Sequence, residues 1–325
     1  MNWIIKTSSV LTLFFLGINS VAAQDTPTFS DPFNIIVGYA PGGASDRAAR
    51  FVAEQLQNEL GTTVIVENKT GAGGRLAVQH TKNQPENRDT LMIGNPATIV
   101  VAPLVFDNLP YDPNTDLKTV AMVTDYNFGV AVAAESPIQT IQELIEWASE
   151  NPAEFNVGVP ASGSLPHFFG LMLADLADID AEIIGYRGSA PALNDLMGGS
   201  IPVAIDTLDV LTNLHSGERI RILATSGDEI EAKLPEVPTF KSAGLELQAS
   251  GWNGMFAPAV MSDEKVEYLG ELIKDIMSRP EVQQRFLDSD LPPVAANNTE
   301  AQAMIDDFAD QWVPIIKTSG YKVEQ

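Results

Sequence analysis

At 325 residues with 45% hydrophobic content, the chain has enough apolar mass for two full-sized cores, which excludes general disorder. Its net charge of −24, from 43 acidic and 19 basic residues, argues against nucleic acid as a partner, because phosphate recognition rests on clustered Lys and Arg. The chain has no cysteine, which removes disulfides, thiolate metal sites and thiol nucleophiles.

The first 23 residues follow the three-part plan of a secretory signal peptide: Lys6, an apolar stretch (VLTLFFLGI), then Val21-Ala22-Ala23 before Gln24. The apolar run is about a dozen residues, short of the roughly 20 that a membrane span needs. Cleavage near Gln24 is therefore expected, with export to the periplasm and no lipid attachment, since no cysteine follows.

The mature chain opens on its most informative stretch, Ile35 to Arg50. Ile35-Ile36-Val37 reads as a strand that stops at Gly38. A turn over Ala40-Pro41-Gly42-Gly43 follows, and Ser45-Asp46 opens a helix with Ala48, Val52, Leu56 and Leu60 on one face and Gly61 as its end. Backbone N–H groups at such a helix start suit a small anion, and Gly42 and Gly43 let the backbone come close to it. No Lys-Ser or Lys-Thr follows the glycines, so this is not a nucleoside-triphosphate loop. A second glycine loop spans Glu67 to Arg75, after the strand Thr63 to Val66. It fails the dinucleotide fingerprint because Leu76 stands at the sixth position. Arg75 is either a partner for a ligand carboxylate or an exposed charge. Thr90 to Ile93 is the next strand and ends at Gly94-Asn95-Pro96.

After a long irregular stretch, Asn127 to Ala133 reads as a strand. Thr140 and Glu143 have capping-box spacing before a helix that buries Ile141, Leu144, Ile145 and Ala148. Phe155 to Val159 is a strand that leads into Pro160 to His167. There Ser162, Gly163 and Ser164 form a second helix start able to donate to anionic oxygen, with Ser164 as N-cap and His167 as a helix-stabilising residue in the plainer reading. Glu182 to Tyr186, Ile201 to Ile205, Arg219 to Ala224 and Trp252 to Ala257 complete the strands. Asp206 either accepts from a ligand or caps the helix that follows it. Tyr39, Tyr186 and Trp252 are cleft walls or core. From Ser262 onward a helical chain is expected, with a capping box at Thr299 and Gln302 and with Ile305, Phe308, Trp312 and Ile316 on one face.

Alternating strands and helices predict an α/β fold with largely parallel sheets. Two crossings, Val123 to Phe128 and Ala249 to Gly254, would divide the mature chain into two lobes: residues 24–125 with 251–325, and residues 126–250. Enzyme signatures are missing from the sequence. The histidines at 80, 167 and 215 lack metal-ligand spacing, and no G-x-S-x-G elbow occurs. No catalytic residue, metal or cofactor is expected.

In this order the loops resemble the solute receptors of tripartite tricarboxylate transporters, the Bug family. Pro41 to Arg50 matches its P-G-G-x-x-D-x-x-A-R pattern, and Val66 to Gly74 is similar to V-E-N-R-P-G-A-G-G, with Lys69 and Thr70 replacing Arg and Pro. Leu109 to Pro113 with Asp116-Leu117, Tyr186 to Leu193, Leu234 to Thr239 with Ala243-Gly244, and Trp252 to Ala259 resemble four further motifs of the family. The resemblance covers nearly the whole mature chain. It implies a type II periplasmic-binding-protein fold, with two α/β lobes and a ligand cleft between them. It further implies a receptor that delivers a small carboxylate to a membrane permease of one large and one small subunit; a di- or tricarboxylate is the expected ligand and a monomer the default state. The alternatives are a sensory receptor that reports the ligand to a membrane kinase, or a periplasmic hydrolase.

Ligand contacts in the family come from the first glycine loop, the loop after the third strand and an S-x-G-x-G-S loop. Carried over, these are Tyr39, Ala40, Gly43 and Ala44, then Asn95, then Ser162, Gly163 and Ser164, to which the reading above adds Tyr186 and Asp206. The chain departs from the last motif at Val159 and Ala161, where Ser and Gly are usual.

Overall fold

Strand and helix signals alternate from residue 33 onward, and the computed structural model, which describes residues 27–323, carries them as one continuous sheet flanked by helices. The expected signal peptide over residues 1–23 lies outside the described residues. The elements run β1 (Phe33–Val37), α1 (Ala44–Leu60), β2 (Val64–Asn68), α2 (Arg75–Lys82), β3 (Thr90–Gly94), α3 (Ala102–Val105), α4 (Pro113–Asp116), β4 (Leu117–Ala133) and α5 (Ile141–Glu150). Then follow β5 (Asn156–Val159), α6 (Leu165–Ala177), β6 (Glu182–Gly185), α7 (Ser189–Met197), β7 (Val203–Thr207), α8 (Leu208–Ser216) and β8 (Ile220–Thr225). The chain ends with β9 (Ser250–Pro258), α9 (Asp263–Ser278), α10 (Pro280–Leu287), β10 (Pro293–Ala296) and α11 (Asn298–Thr318).

The strand order is β2-β1-β3-β9-β4-β7-β5-β6, with β8 and β10 also paired to β4. β1 is parallel to β2 and β3, and β5 is parallel to β6 and β7. The middle of the sheet is antiparallel, which corrects the expectation of largely parallel sheets. β4 pairs with β9 over Leu117–Asn127 and with β7 and β8 over Phe128–Ala133. A chain that leaves one half along β4 and returns along β9 must run in opposite directions on the two strands.

Sequence pattern located only the second part of β4. Val120 to Thr124 are buried one after another, so the first part has both faces covered and lacks the alternation that marks a half-buried strand. The helical expectation beyond Ser262 also needs correction, because β10 intervenes and pairs with β4.

Helix ends follow local chemistry. Gly61 closes α1 in the left-handed region (φ 63°) and donates to the Gln57 carbonyl. Thr140 caps α5 as expected, accepting from the Glu143 N–H at 3.1 Å, while the Glu143 carboxylate accepts from the Gln139 N–H. The capping box of α11 is made by Asn297 and Glu300, two residues before the expected Thr299 and Gln302. Gln302 instead accepts from the Thr119 hydroxyl at 2.7 Å.

Among the described residues three hydrophobic clusters hold the layers, two of them about the centre of the sheet. Ile35 and Leu91 of the sheet meet Val52 and Leu56 of α1 and Ile273 of α9. On the other side, Trp312 and Phe308 of α11 stack on each other and reach Phe128 and Trp252, so α11 covers the stretch where β4 changes partners. Trp252 is therefore core, 3% exposed.

Candidate functional site

In a parallel sheet, loops after the strand ends leave helix N-termini and crevices on one side. Here that side holds a cavity of about 490 Å³. It is walled by Tyr39 and Gly43–Ser45 after β1, Asn95 after β3, Thr124–Asn127 of β4 and Thr207–Asp209 after β7. Asn253 of β9, Thr212, Leu287 and the segments 231–234 and 290–292 complete the lining.

The loop before α1 is built around Asp46. Its carboxylate, 2% exposed, accepts from the Gly42 N–H at 2.8 Å, from Arg50 Nε and Nη2 at 2.9 Å each and from Asn68 Nδ2 at 2.8 Å. Burial alone would raise its pKa, but these partners outweigh burial and hold it below the usual carboxylate value. Gly42 has φ 89°, a conformation that glycine takes without strain. The hub fixes the turn and leaves α1 with Gly43 as N-cap and no side-chain cap. Its first amides therefore open on the cavity. The Ser45 hydroxyl donates to Asn253 Oδ1 at 2.8 Å, and Asn253 Nδ2 donates to the Thr124 hydroxyl at 2.9 Å, which ties the helix start to β9 and β4.

A second helix, α8, starts at the same cavity. Its N-cap is Thr207, again without a side-chain cap. Asp206, just before it, is buried. Its Oδ1 accepts from the Thr207 N–H at 2.8 Å, its Oδ2 has no hydrogen-bond partner among the described residues, and burial pushes its pKa up to about 6. Across the cavity Asn95 Nδ2 donates to the Tyr39 hydroxyl at 2.7 Å, and burial raises the Tyr39 phenol. On β4, Asp125 is pushed up to about 6, first by burial and then by Glu231, whose carboxylate accepts from Asn127 Nδ2 at 2.8 Å.

Of the residues singled out from sequence, Tyr39, Gly43, Ala44 and Asn95 line this cavity together. Ala40, Ser162, Gly163, Ser164, Tyr186 and Asp206 do not line it. Within the Ser162–Ser164 loop the Gly163 N–H donates to His167 Nδ1 at 2.7 Å, the Ser164 N–H donates to the Ala161 carbonyl at 3.2 Å, and the Ser164 hydroxyl accepts from the His167 N–H at 3.4 Å. The Tyr321 ring lies against Gly163 and edge-on to His167. Tyr186 donates its hydroxyl to Asp195 at 2.8 Å. Arg75 stacks on Phe106, 3.7 Å from the ring centroid. Sequence reasoning missed Asp125, Asn127, Glu231 and Asn253. A signal existed for Asn253, a lone amide inside the apolar run of β9, and for Asp125 and Asn127, which lie in the expected crossing.

Residues 48–321 match the family described as "Tripartite tricarboxylate transporter family receptor". A UPF0065 protein of Bordetella bronchiseptica is 31% identical over 95% of this chain and 91% of its own length. Among solved structures, the periplasmic binding protein BugD is 26% identical, covers 90% of this chain and 98% of its own, and superposes with a TM-score of 0.73. An R. palustris protein solved with adipate is 25% identical over 89% of this chain and 97% of its own, with a TM-score of 0.77. The fold is thus the two-lobed one of periplasmic binding proteins. Among the described residues no helix is long and apolar enough to cross a membrane. With the family matched over most of its length and the fold shared with solved binding proteins, the chain belongs to the tripartite tricarboxylate transporter family of receptors.

Proposed function

We propose that this receptor binds a small carboxylate in the cavity between its lobes, in the periplasm, and delivers it to a membrane permease without chemical change. One observation carries the assignment: α1 and α8 both start at the cavity, and neither start is capped by a side chain. An uncapped helix start offers several N–H donors and the positive end of the helix dipole to one anion. The amides of Ala44 and Ser45 are the proposed cradle, with Tyr39 and Asn95 as its polar wall. The R. palustris relative with adipate supports a carboxylate ligand.

In this reading residues 24–125 with 251–325 form one lobe and residues 126–250 the other, hinged on β4 and β9. Closure brings the second lobe over the ligand, expels water and strengthens each charge-assisted hydrogen bond. Ser162–Ser164 and Tyr186 belong to the second lobe in this division and join the ligand only on closure, when Tyr321 must leave Gly163.

Calorimetric titration tests the proposal. Protein unfolded and refolded to strip carried-over ligand is titrated with a panel of small carboxylic acids, amino-substituted ones included. Saturable binding of at least one member is expected. A panel without heat from well-folded protein sinks the assignment.

A further inference from the structure

The charges around the cavity are the wrong sign for a ligand that is only an anion. Four carboxylates line it, Asp125, Asp209, Glu231 and Asp290, against one cation, Lys233. Lys233 is already paired with Asp290 on the rim. Among the described residues no ion pair reaches Asp125, Asp209 or Glu231, so the wall carries uncompensated negative charge toward whatever binds.

That wall is built, not incidental. Asp125 and Asn127 are two apart on β4 and therefore share a face. Asn127 Nδ2 holds Glu231 at 2.8 Å, which brings the Glu231 carboxylate beside Asp125. Thr124, the residue before Asp125, belongs to the Ser45–Asn253–Thr124 chain of hydrogen bonds, so the acidic wall is anchored to the start of α1. One cavity thus has a donor-rich end at Gly43–Ser45 and an acceptor-rich wall at Asp125 and Glu231. The desolvation that pushes Asp125 upward is offset when a cation sits against its carboxylate. A metal ion is not that cation: among the described residues no three His, Asp or Glu side chains converge closely enough to hold one. The cation that fits is an organic ammonium, whose several N–H donors can reach two neighbouring carboxylates without the third ligand that a metal needs.

Building on the carboxylate reading of this cavity, we infer that the ligand is an amino carboxylate of net charge zero or above, whose carboxylate rests on the α1 amides and whose ammonium group faces Asp125 and Glu231. Asp125 and Glu231 are then the residues that set specificity. An ammonium donates to several acceptors at once, which suits two neighbouring carboxylates. A second carboxylate in that position meets like charge, which disfavours dicarboxylates of the same length.

The test pairs chain lengths. Refolded protein is titrated calorimetrically with 4-aminobutanoate, 5-aminopentanoate, ornithine and lysine, and with succinate, glutarate and adipate. The best amino carboxylate is expected to bind at least tenfold tighter than the best dicarboxylate. In D125N/E231Q its affinity should fall at least tenfold, while dicarboxylate affinity holds or rises. Glu231→Gln alone, with the β4 strand untouched, should shift both affinities in the same directions if the double variant folds poorly. Dicarboxylates binding as well as or better than every amino carboxylate, or variants that keep amino-carboxylate affinity, would overturn the inference and leave the carboxylate receptor standing. Silence from both sets overturns this inference and counts against the carboxylate site as well.

Discussion

Lys233 pairs with Asp290 across the rim of the cavity, joining the segment after β8 to the turn after α10. Both side chains are about half exposed, so the pair contributes little to stability, on the order of 0–1 kcal/mol. At the rim of the proposed ligand cavity it is expected to act as a latch over the ligand. Lys233→Ala should leave the melting temperature nearly unchanged and speed ligand dissociation several-fold. Stopped-flow release at low and high salt checks this, and the wild-type rate should approach that of the variant as salt rises.

Ala44 is the first residue of α1 and lines the cavity. A carboxylate side chain there suits the helix dipole, so Ala44→Glu should not lower stability. The new carboxylate competes for the same amides, and ligand affinity should fall by at least tenfold. Calorimetry alongside a thermal melt separates the two effects. A variant that binds like wild type would remove the α1 start from the site.

Asp46 holds the loop through Gly42, Arg50 and Asn68. Asp46→Ala leaves those donors without their acceptor at a buried position and should cost about 2–3 kcal/mol, seen as a lower denaturation midpoint. Ligand affinity should drop with it, because the turn that presents the α1 amides loses its anchor. Full stability in this variant would show that Gly42 and Asn68 hold the turn by other means.

Asp125 and Asp206 both have folded-state pKa values raised to about 6 from 3.8. A raised carboxyl binds its proton more tightly in the folded state, so its contribution to stability is fully present below pH 3.8 and is lost as pH rises through 6. Between pH 7.5 and pH 5 these two carboxyls should therefore make the ligand-free protein more stable as pH falls, against the opposite contribution of His80 and His167, whose pKa values burial lowers. Asp46 acts oppositely, but its lowered pKa confines its effect to pH below about 4. In Asp125→Asn the gain on acidification should shrink, which scanning calorimetry in buffers of matched ionic strength resolves. An unchanged slope would place the titration elsewhere.

Much of the fold was legible because local chemistry wrote it. The strand, glycine turn and helix from Ile35 to Gly61 follow from an apolar run, a left-handed glycine and a regular buried face. One wall of the candidate cavity was legible for the same reason, since Tyr39, Gly43, Ala44 and Asn95 sit in loops that their own strands and helices position. The opposite wall was not. Glu231 is held at the cavity by Asn127, 104 residues away. Likewise, nothing near Gly163 announces that Tyr321 packs against it from the other end of the chain. The early part of β4 escaped because a strand covered on both faces has no alternating pattern, and the Asn297 cap lost to Thr299 because both fit the same spacing rule.

The 17-residue β4 strand has a consequence for how such receptors can be recombined. It gives its first two-thirds to one sheet region and its last third to another, as an interior strand of each. A chimera that takes one lobe from this protein and the other from a relative must therefore splice within β4, near Tyr126–Phe128, and again at the start of β9. A junction placed in any surface loop would leave one parent's lobe folding around the other parent's central strand.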